Sequence, residues 1–245
     1  MKLLLTNDDG IQGEGLHEMA KALSKNHEVW IVAPHKNRSA VSHGITMSNP
    51  LCIKKIEERV YSCTGVPADC TLNGIKAIMK CNPDAVISGI NKGANLGTDI
   101  IYSGTVAAAR QAAFYGVPAI AVSLESFDDK WNYQPLANFV AQNLEKLVSF
   151  CSTDVFLNIN AKSTNSYQGY KITVPTVRTY HDEVQVINAP DGHSYSFFKG
   201  GRVTSQDCIK SDCNAVNEGF ISVSRIYAQP VATEFISEME NAFIL

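Results

Sequence analysis

The sequence of 245 residues has no long apolar run and no surplus of positive charge. Its first apolar run ends at Leu5, where Asn7, Asp8 and Asp9 follow, so we expect neither a signal peptide nor a membrane span. Lys and Arg number 21 against 24 Asp and Glu, which argues against a general nucleic-acid binder. The seven cysteines are scattered without a Cys-x-x-Cys pair, a pattern that favours a reducing cytoplasm over a disulfide framework or a zinc site.

The usual phosphate-binding and nucleophile motifs are also absent. Gly10, Gly13 and Gly15 do not form Gly-x-Gly-x-x-Gly, and the aspartates before them would repel a pyrophosphate. The chain contains neither a Walker sequence nor a Gly-x-Ser-x-Gly elbow. None of the six histidines forms a metal-spaced pair. Any catalytic chemistry must therefore come from other groups, and clustered oxygen-bearing side chains are the candidates.

Residues 1–160 alternate between short apolar runs and amphipathic stretches. Continuous apolar runs predict buried strands, and apolar residues spaced at i, i+3, i+4 and i+7 predict helices. This alternation indicates an α/β fold with a doubly wound, mostly parallel, Rossmann-like sheet and right-handed crossovers. The predicted strands are 2–6, 29–33, 61–64, 85–88, 119–122 and 155–159, and the predicted helices are 13–25, 68–79, 105–115 and 134–150.

Residues 161–245 show a different pattern, in which short β-type segments alternate with Gly, Pro and Asp turns. We expect an antiparallel, β-rich extension and a C-terminal helix that complete one continuous domain with the catalytic core of residues 1–160. Its apolar patches are expected to contact a partner subunit. The predicted strands are 172–174, 184–187, 195–198 and 221–223, and the predicted helix is about 232–243.

Three predicted strands of the core end in polar, oxygen-rich loops. Asn7-Asp8-Asp9-Gly10 follows the first strand, residues 34–39 follow the second, and residues 88–95 lie at the end of the strand predicted at 85–88. Ligands of open parallel sheets bind beyond the carboxyl ends of the strands, so the three loops are expected to meet there. Each loop alone would also suit an ordinary turn, and it is their agreement that predicts a site.

Asp8 and Asp9 predict a metal site. Two adjacent carboxylates repel each other unless a cation compensates them. With the hydroxyl of Ser39 and the amide oxygen of Asn91 they form an oxygen-only set, which suits Mg²⁺ or Mn²⁺ better than zinc. The alternative is a turn whose acids cap the following helix.

Ser103-Gly104-Thr105 leads into the helix predicted at 105–115. Free N–H groups at a helix start attract anions, and glycine lets a phosphate approach closely. An ordinary helix cap would look the same. A bulky side chain at Gly104 would block the phosphate or resist a backbone angle that glycine adopts easily, and we expect it to leave metal binding unaffected.

These motifs together resemble the SurE family of survival-protein nucleotidases. The matching segments follow the family's order, and the resemblance covers nearly the whole chain. One departure lies in the second loop, where the family usually has Ser-Gly and this chain has Ser39-Ala40. The segments are 5–10, 33–39, 65–70, 88–97 and 102–106, with weaker matches at 157–160 and from 212 to 223.

The resemblance implies hydrolysis of nucleoside 5′- and 3′-monophosphates with one divalent cation, Mg²⁺ or Mn²⁺. It also implies a homodimer or tetramer with exchanged C-terminal elements. The implied metal ligands are Asp8, Asp9, Ser39 and Asn91, of which the two aspartates are also the catalytic residues. The implied phosphate-contacting positions are Asn95, Ser103, Gly104 and Thr105.

Other functions remain open at this point. One is a phosphatase or exopolyphosphatase acting mainly on non-nucleotide substrates, and another is a non-catalytic nucleotide-binding protein on the same fold. Within a hydrolase, the attacking group is either a metal-activated water or a carboxylate of Asp8 or Asp9 that forms an aspartyl-phosphate. The presence of every oxygen ligand favours an enzyme.

Overall fold

The computed structural model of the protein describes residues 1–206 and 208–229. Its helices pack on both faces of a nine-stranded sheet, and a two-stranded sheet stands apart. None of the helices in this part of the chain combines the length and the apolar character needed to cross a membrane. In chain order the elements are β1 (Lys2–Thr6), α1 (Glu14–Leu23), β2 (Glu28–Pro34), β3 (Ile53–Glu57), β4 (Val60–Cys63), α2 (Pro67–Asn73), β5 (Ala85–Lys92), α3 (Gly104–Phe114), β6 (Ala119–Glu125), α4 (Gln134–Ser149), β7 (Val155–Lys162), β8 (Tyr170–Thr173), β9 (Arg178–Asn188), β10 (Ser194–Ser205), α5 (Asp212–Asn217) and β11 (Ile221–Tyr227).

The apolar runs at the centre of the sheet are buried on both faces. The strand order is β3-β4-β2-β1-β5-β6-β7-β11-β8, and β1 pairs in parallel with both β2 and β5. Leu3 and Leu5 pack with Leu16 of α1 on one face, while Leu4 packs with Val106 of α3 on the other. Such strands must be apolar on both sides, which is why they lack alternation. The predicted doubly wound α/β fold is confirmed.

One crossover departs from the predicted handedness. The connections β5–α3–β6 and β6–α4–β7 step across the sheet in the same direction. Ala112 of α3 packs on one face, whereas Leu136 and Val140 of α4 pack on the opposite face. Their hands are therefore opposite, and the prediction that all crossovers are right-handed was wrong for one of them. The opposite hand follows from the space available on the two faces of the sheet. Helices α2 and α3 together cover one face, and α4 packs beside α1 on the other.

The second half of the chain contributes to the main sheet as well as to an extension. β11 pairs antiparallel with β7 and parallel with β8, so both strands extend the central sheet. The predicted antiparallel segments 184–187 and 195–198 are the middles of two much longer strands, β9 and β10. The helix predicted at about 232–243 lies outside the described residues.

Two further differences concern the segment between β2 and β5. The edge strand β3 was not predicted, because its sequence Ile-Lys-Lys-Ile-Glu is mostly exposed and has no buried run. The helix predicted at 68–79 is α2 followed by a π-helical turn at Gly74–Ile78. A Cβ on Gly74 would lie 2.6 Å from Leu4 Cδ2, so the helix approaches the sheet closely at this point.

Candidate active site

The carboxyl ends of β1 and β5 border a crevice at the switch point of the sheet. Helix α1 leaves β1 on one face, and α3, which follows β5, packs on the other. Helices that diverge in this way open the space in which doubly wound proteins bind ligands. Asp8 and Asp9 lie just beyond the end of β1, and Asn91 is the last residue but one of β5. The structure thus brings the first and third predicted loops together.

Asp8 is almost fully buried against the start of α3. The Thr105 hydroxyl donates a hydrogen bond to Asp8 Oδ1. Burial raises the pKa of the Asp8 carboxyl to about 6; the Thr105 hydrogen bond opposes the rise and the charge of Asp9 adds to it. The protein therefore keeps an acidic group at a place where its charged form is costly without a cation.

Asp9 is held by the end of β5. The backbone N–H of Lys92 donates to Asp9 Oδ2 at 3.0 Å. Burial raises the pKa of Asp9 as well, and the hydrogen bond from Lys92 opposes that rise. Within residues 1–206 and 208–229, neither Asp8 nor Asp9 forms a salt bridge. The negative charge of the pair is left without a direct cationic partner.

A β-bulge in β5 sets the direction of Asn91. Ser88 pairs with Ala121 of β6, but Asn91 pairs with Ser123, so three steps on β5 match two on β6. The extra residue turns Asn91 to the face that carries α3, the face of Ser88. The Asn91 Nδ2 donates to Gly93 O at 2.8 Å. Its Oδ1 has no protein partner in the described part of the chain and remains available as an oxygen ligand.

The second predicted loop reaches Asp8 through its backbone. The Arg38 N–H donates to the Asp8 carbonyl oxygen at 2.7 Å, which places Ser39 beside the crevice. The Ser39 hydroxyl itself is exposed and donates to Asn37 Oδ1 at 2.6 Å. Ser39 is thus close to the aspartates along the chain, but its side chain is engaged elsewhere.

Ala40, which stands where the family usually has glycine, has a backbone conformation that favours glycine. Its φ is 57°, in the left-handed region that glycine adopts at little cost. An alanine there is strained by about 1–2 kcal/mol. The loop therefore holds a left-handed conformation at a residue that is not glycine.

The predicted phosphate site coincides with the first turn of α3. Ser103 is the N-cap, and its hydroxyl accepts a hydrogen bond from Val106 N at 3.0 Å. The Thr105 hydroxyl donates to Asp8, so the hydroxyl groups of Ser103 and Thr105 both form hydrogen bonds within the protein. The N–H groups of Gly104 and Thr105 lie in the first turn, where no intrahelical acceptor exists. The Thr105 N–H is directed to the Asp8 carboxylate, so the Gly104 N–H is the one that remains available to an anion.

Gly104 is required by space rather than by its backbone angle. Its φ is not positive, so an ordinary helical residue could adopt the conformation. A Cβ at this position would lie 2.9 Å from Asp8 Cβ and 3.1 Å from Pro67 Cγ. Because that Cβ would press on Asp8, we expect a side chain at Gly104 to disturb the metal ligands as well as the anion site.

Asn95 lies in the loop between β5 and α3 and is buried. Its backbone and side chain are bonded to β6 and β7, through Ser123, Asn158 and Asn160. Sequence reasoning missed these three residues.

Two further positioning residues were also missed. The Asn7 side chain closes the aspartate turn by donating to Gly10 O at 2.9 Å and accepting from Gly10 N at 3.2 Å. Asp69 accepts from Thr46 N at 2.9 Å and from Val66 N at 3.0 Å, which joins a distant loop to the start of α2. The Asn-x-x-Gly turn and the acid at the third position of a helix were the signals that could have identified them.

The chemistry of these residues fits a hard divalent cation. The described residues contain no cluster of three or more His, Cys, Asp or Glu, so further ligands would be neutral oxygens. Two carboxylates with an amide oxygen and a hydroxyl are the donor types that Mg²⁺ and Mn²⁺ accept. The uncompensated burial of Asp8 is the observation that supports a cation here.

The fold and the crevice define a doubly wound α/β protein with a pair of carboxylates and a helix start at its switch point. The family model described as Survival protein SurE matches residues 3–182. The chain belongs to the SurE family.

Individual relatives extend this similarity to the whole chain. A protein of Thermosipho melanesiensis named 5'-nucleotidase SurE is 39% identical over 250 residues, covering 99% of this chain and 98% of that protein. One of the same name from Treponema pallidum is 48% identical over 174 residues, covering 68% of this chain and 93% of that protein. The crystal structure of SurE from Aquifex aeolicus aligns with a TM-score of 0.85 at 30% identity, and the alignment covers 98% of each chain.

Replacing Gly104 by alanine tests the close contact between the first turn of α3 and Asp8. We expect a loss of about 1–3 kcal/mol in the free energy of unfolding from overpacking, and roughly tenfold weaker Mn²⁺ binding as Asp8 is displaced. Both are measured by thermal unfolding with and without Mn²⁺. Gly44→Ala is the matched control, because a Cβ there meets Val41 O at an ordinary 3.4 Å. Unchanged Mn²⁺ affinity in Gly104→Ala would contradict the assignment.

Replacing Ala40 by glycine tests the strain in the second loop. We expect the free energy of unfolding to rise by about 1 kcal/mol, because glycine relieves the left-handed alanine. Ala141→Gly, within α4, should instead lower it by about 1 kcal/mol. Urea unfolding of the two variants gives the comparison, and a decrease for both would show that Ala40 is not strained.

Proposed function

We propose that this chain is a divalent-cation-dependent 5′-nucleotidase that hydrolyses nucleoside 5′- and 3′-monophosphates to nucleoside and phosphate. The observation that carries the proposal is the pair of a buried Asp8 and a half-buried Asp9, which forms no salt bridge among the described residues, beside the first turn of α3. The name 5'-nucleotidase SurE, borne by the relatives from Thermosipho melanesiensis and Treponema pallidum, supports it.

We assign one cation, Mg²⁺ or Mn²⁺, to Asp8, Asp9, Ser39 and Asn91. When bound, it supplies positive charge to the substrate phosphate and activates water. Asn91 offers its free Oδ1, whereas Ser39 must release its hydrogen bond to Asn37 to become a ligand. The two carboxylates provide the negative charge that holds the ion.

The residues of the chain divide the remaining work between them. The Gly104 N–H binds a phosphoryl oxygen, and Asn95, Ser103 and Thr105 complete the phosphate site and stabilise the charge that develops there. The Thr105 hydroxyl fixes Asp8, and the Lys92 N–H fixes Asp9. One of the two carboxylates orients the attacking water and takes up its proton.

Asp8→Asn and Asp9→Asn should each lower the rate of AMP hydrolysis by at least about 100-fold, because each removes a charge that the cation requires. The fold should remain intact, since the mutual repulsion of the pair is relieved. Phosphate release with Mg²⁺ or Mn²⁺ and circular dichroism give the two readouts. The exposed Asp154→Asn is the control. A variant at either position that keeps a tenth of the wild-type rate would remove that residue from the metal site.

The same assay separates the rival functions. Release of phosphate from p-nitrophenyl phosphate that stops on adding a chelator identifies a metal-dependent phosphatase, and a protein that only binds nucleotides releases none. Comparison of AMP with ribose 5-phosphate and polyphosphate then distinguishes a nucleotidase from a phosphatase of other substrates. Faster hydrolysis of either non-nucleotide substrate would overturn the nucleotide assignment.

The hairpin of β9 and β10 supports association of the chain with further copies. Val184 and Phe198 are opposite each other on one face, and Ile187 and Tyr195 on the other. All four are exposed, and an isolated two-stranded sheet is marginally stable in water. We propose a homodimer or tetramer in which residues 161–245 form the association part and residues 1–160 the catalytic core. The proposed exchange of C-terminal elements concerns residues outside the described part as well.

Neighbouring phenylalanines on opposite faces of the hairpin allow a matched test. Phe198→Ser alters one face and Phe197→Ser the other. We expect each to lower the molecular mass measured by light scattering at a given concentration, because each removes roughly 1.5–3 kcal/mol of apolar burial. A wild-type mass of one chain, or no change in both variants, would contradict the proposal.

A simple truncation is a poorer test of association. Deletion of the last 25 residues would remove β11, whose Ile221, Val223 and Ile226 belong to the core of the main sheet. The expected instability would then arise within one subunit.

The cellular compartment and the binding partners predicted from the sequence are also proposals. All seven cysteines are free thiols, which supports a reducing cytoplasm as the compartment. Nucleoside monophosphates and further copies of the chain are the proposed partners. We propose neither a nucleic acid nor a membrane as a partner, because the net charge of −3 provides no general attraction to either.

A further inference from the structure

The loop between β5 and α3 is anchored at Asn95 by side chains of β7. The Asn95 backbone N–H donates to Asn160 Oδ1 at 2.8 Å. The Asn95 carbonyl oxygen accepts from Asn158 Nδ2 at 2.9 Å and from Asn160 Nδ2 at 3.1 Å. Both backbone groups of this residue are therefore fixed by side chains more than sixty positions away along the chain.

The Asn95 side chain is held separately by β6. Its Nδ2 donates to Ser123 Oγ at 2.7 Å. Ser123 pairs in register with Asn91 on one side and with Asn160 on the other. The hydroxyl thus lies on the sheet between the proposed metal ligand of β5 and the asparagine that anchors the loop.

The burial of three polar side chains in β6 and β7 lowers the stability of the sheet. Ser123, Asn158 and Asn160 are fully buried in strands whose other inward residues are apolar. Asn158 Oδ1 has no hydrogen-bond partner among the described residues. Burying such groups without full hydrogen bonding is unfavourable, and apolar residues are usual in central parallel strands. What these side chains bind in common is Asn95.

We propose that Ser123, Asn158 and Asn160 are positioning residues for Asn95, and that Ser123 acts on the reaction only through the Asn95 side chain. This inference rests on the proposed function, because it requires Asn95 to contact the substrate phosphate. Asn158 and Asn160 set the backbone of Asn95. The Ser123 hydroxyl restricts rotation of the amide, so that its nitrogen and oxygen keep fixed directions; without it, the amide oxygen can turn toward the phosphate and repel it.

A double-mutant cycle with Ser123→Ala and Asn95→Ala tests this directly. Ser123→Ala should lower kcat/KM for AMP roughly fivefold, the size of one neutral hydrogen bond, with a parallel loss of inhibition by inorganic phosphate. In the Asn95→Ala background the same change should alter kcat/KM by less than about twofold, because its route to the substrate is gone. Ser123→Thr, which keeps the hydroxyl, should restore the wild-type value.

Ser224→Ala is the matched control for loss of a buried hydroxyl. Ser224 lies on the same face in β11 and hydrogen-bonds Thr173 at 2.8 Å instead of Asn95. It should lower the melting temperature about as much as Ser123→Ala and leave kcat/KM and phosphate inhibition unchanged. If Ser123→Ala does not fold, Ser123→Cys, with a similar volume and only a weak acceptor for the Asn95 amide, enters the same cycle.

Two results would overturn the inference. One is an equal loss from Ser123→Ala with and without the Asn95 side chain, which would mean that the serine acts by another route. The other is a Ser123→Ala variant with kinetics as unaffected as those of Ser224→Ala, which would make the network purely structural. Failure of the proposed function is distinguishable, because the wild-type protein would then release no phosphate from AMP in the presence of Mg²⁺ or Mn²⁺.

Discussion

The burial of the Asp8 carboxylate is the constraint on which the rest of the site depends. A carboxylate removed from water must be stabilised, and the protein supplies neutral donors, chiefly the Thr105 hydroxyl. These donors orient the group without cancelling its charge. Because Gly104 has no side chain, α3 can approach Asp8 closely enough for that hydrogen bond. The Arg38 N–H holds the second loop against Asp8 as well. A lysine or arginine in place of these contacts would cancel the charge of the carboxylate and leave the proposed cation without it.

The sheet contributes through one irregularity as much as through its order. Without the bulge in β5, Asn91 would point to the face covered by α1 and α4, and Ile90, which packs there, would face the site instead. The same bulge brings the Lys92 N–H to Asp9. The strand order creates a crevice between β1 and β5. The bulge places the polar side chain of Asn91 on the β5 side of that crevice.

The parts predicted from sequence were those specified by local patterns. Apolar runs identified the central strands, and adjacent acids at a strand end predicted a cation site at Asp8 and Asp9, because the cost of such a pair is visible without a fold. What was missed depends on contacts between distant segments. Ser123, Asn158 and Asn160 have no local signature, since a lone polar residue in an apolar run has no partner until the β5–α3 loop folds over it. The opposite hand of one crossover likewise follows from the space left by other elements. The hydrogen bond from Ser39 to Asn37, in contrast, is local and joins residues two positions apart.

The contact between Asp8 and the first turn of α3 has a thermodynamic consequence. One short segment carries the Gly104 N–H proposed to bind an anion and the hydroxyl that orients a proposed metal ligand. A shift of this segment would move both groups together, so the proposed cation and phosphate would not bind independently. Linkage requires the coupling to be reciprocal: whatever factor the cation adds to phosphate affinity, phosphate adds to cation affinity. Product phosphate would then retain the ion in the crevice, and its departure would loosen both.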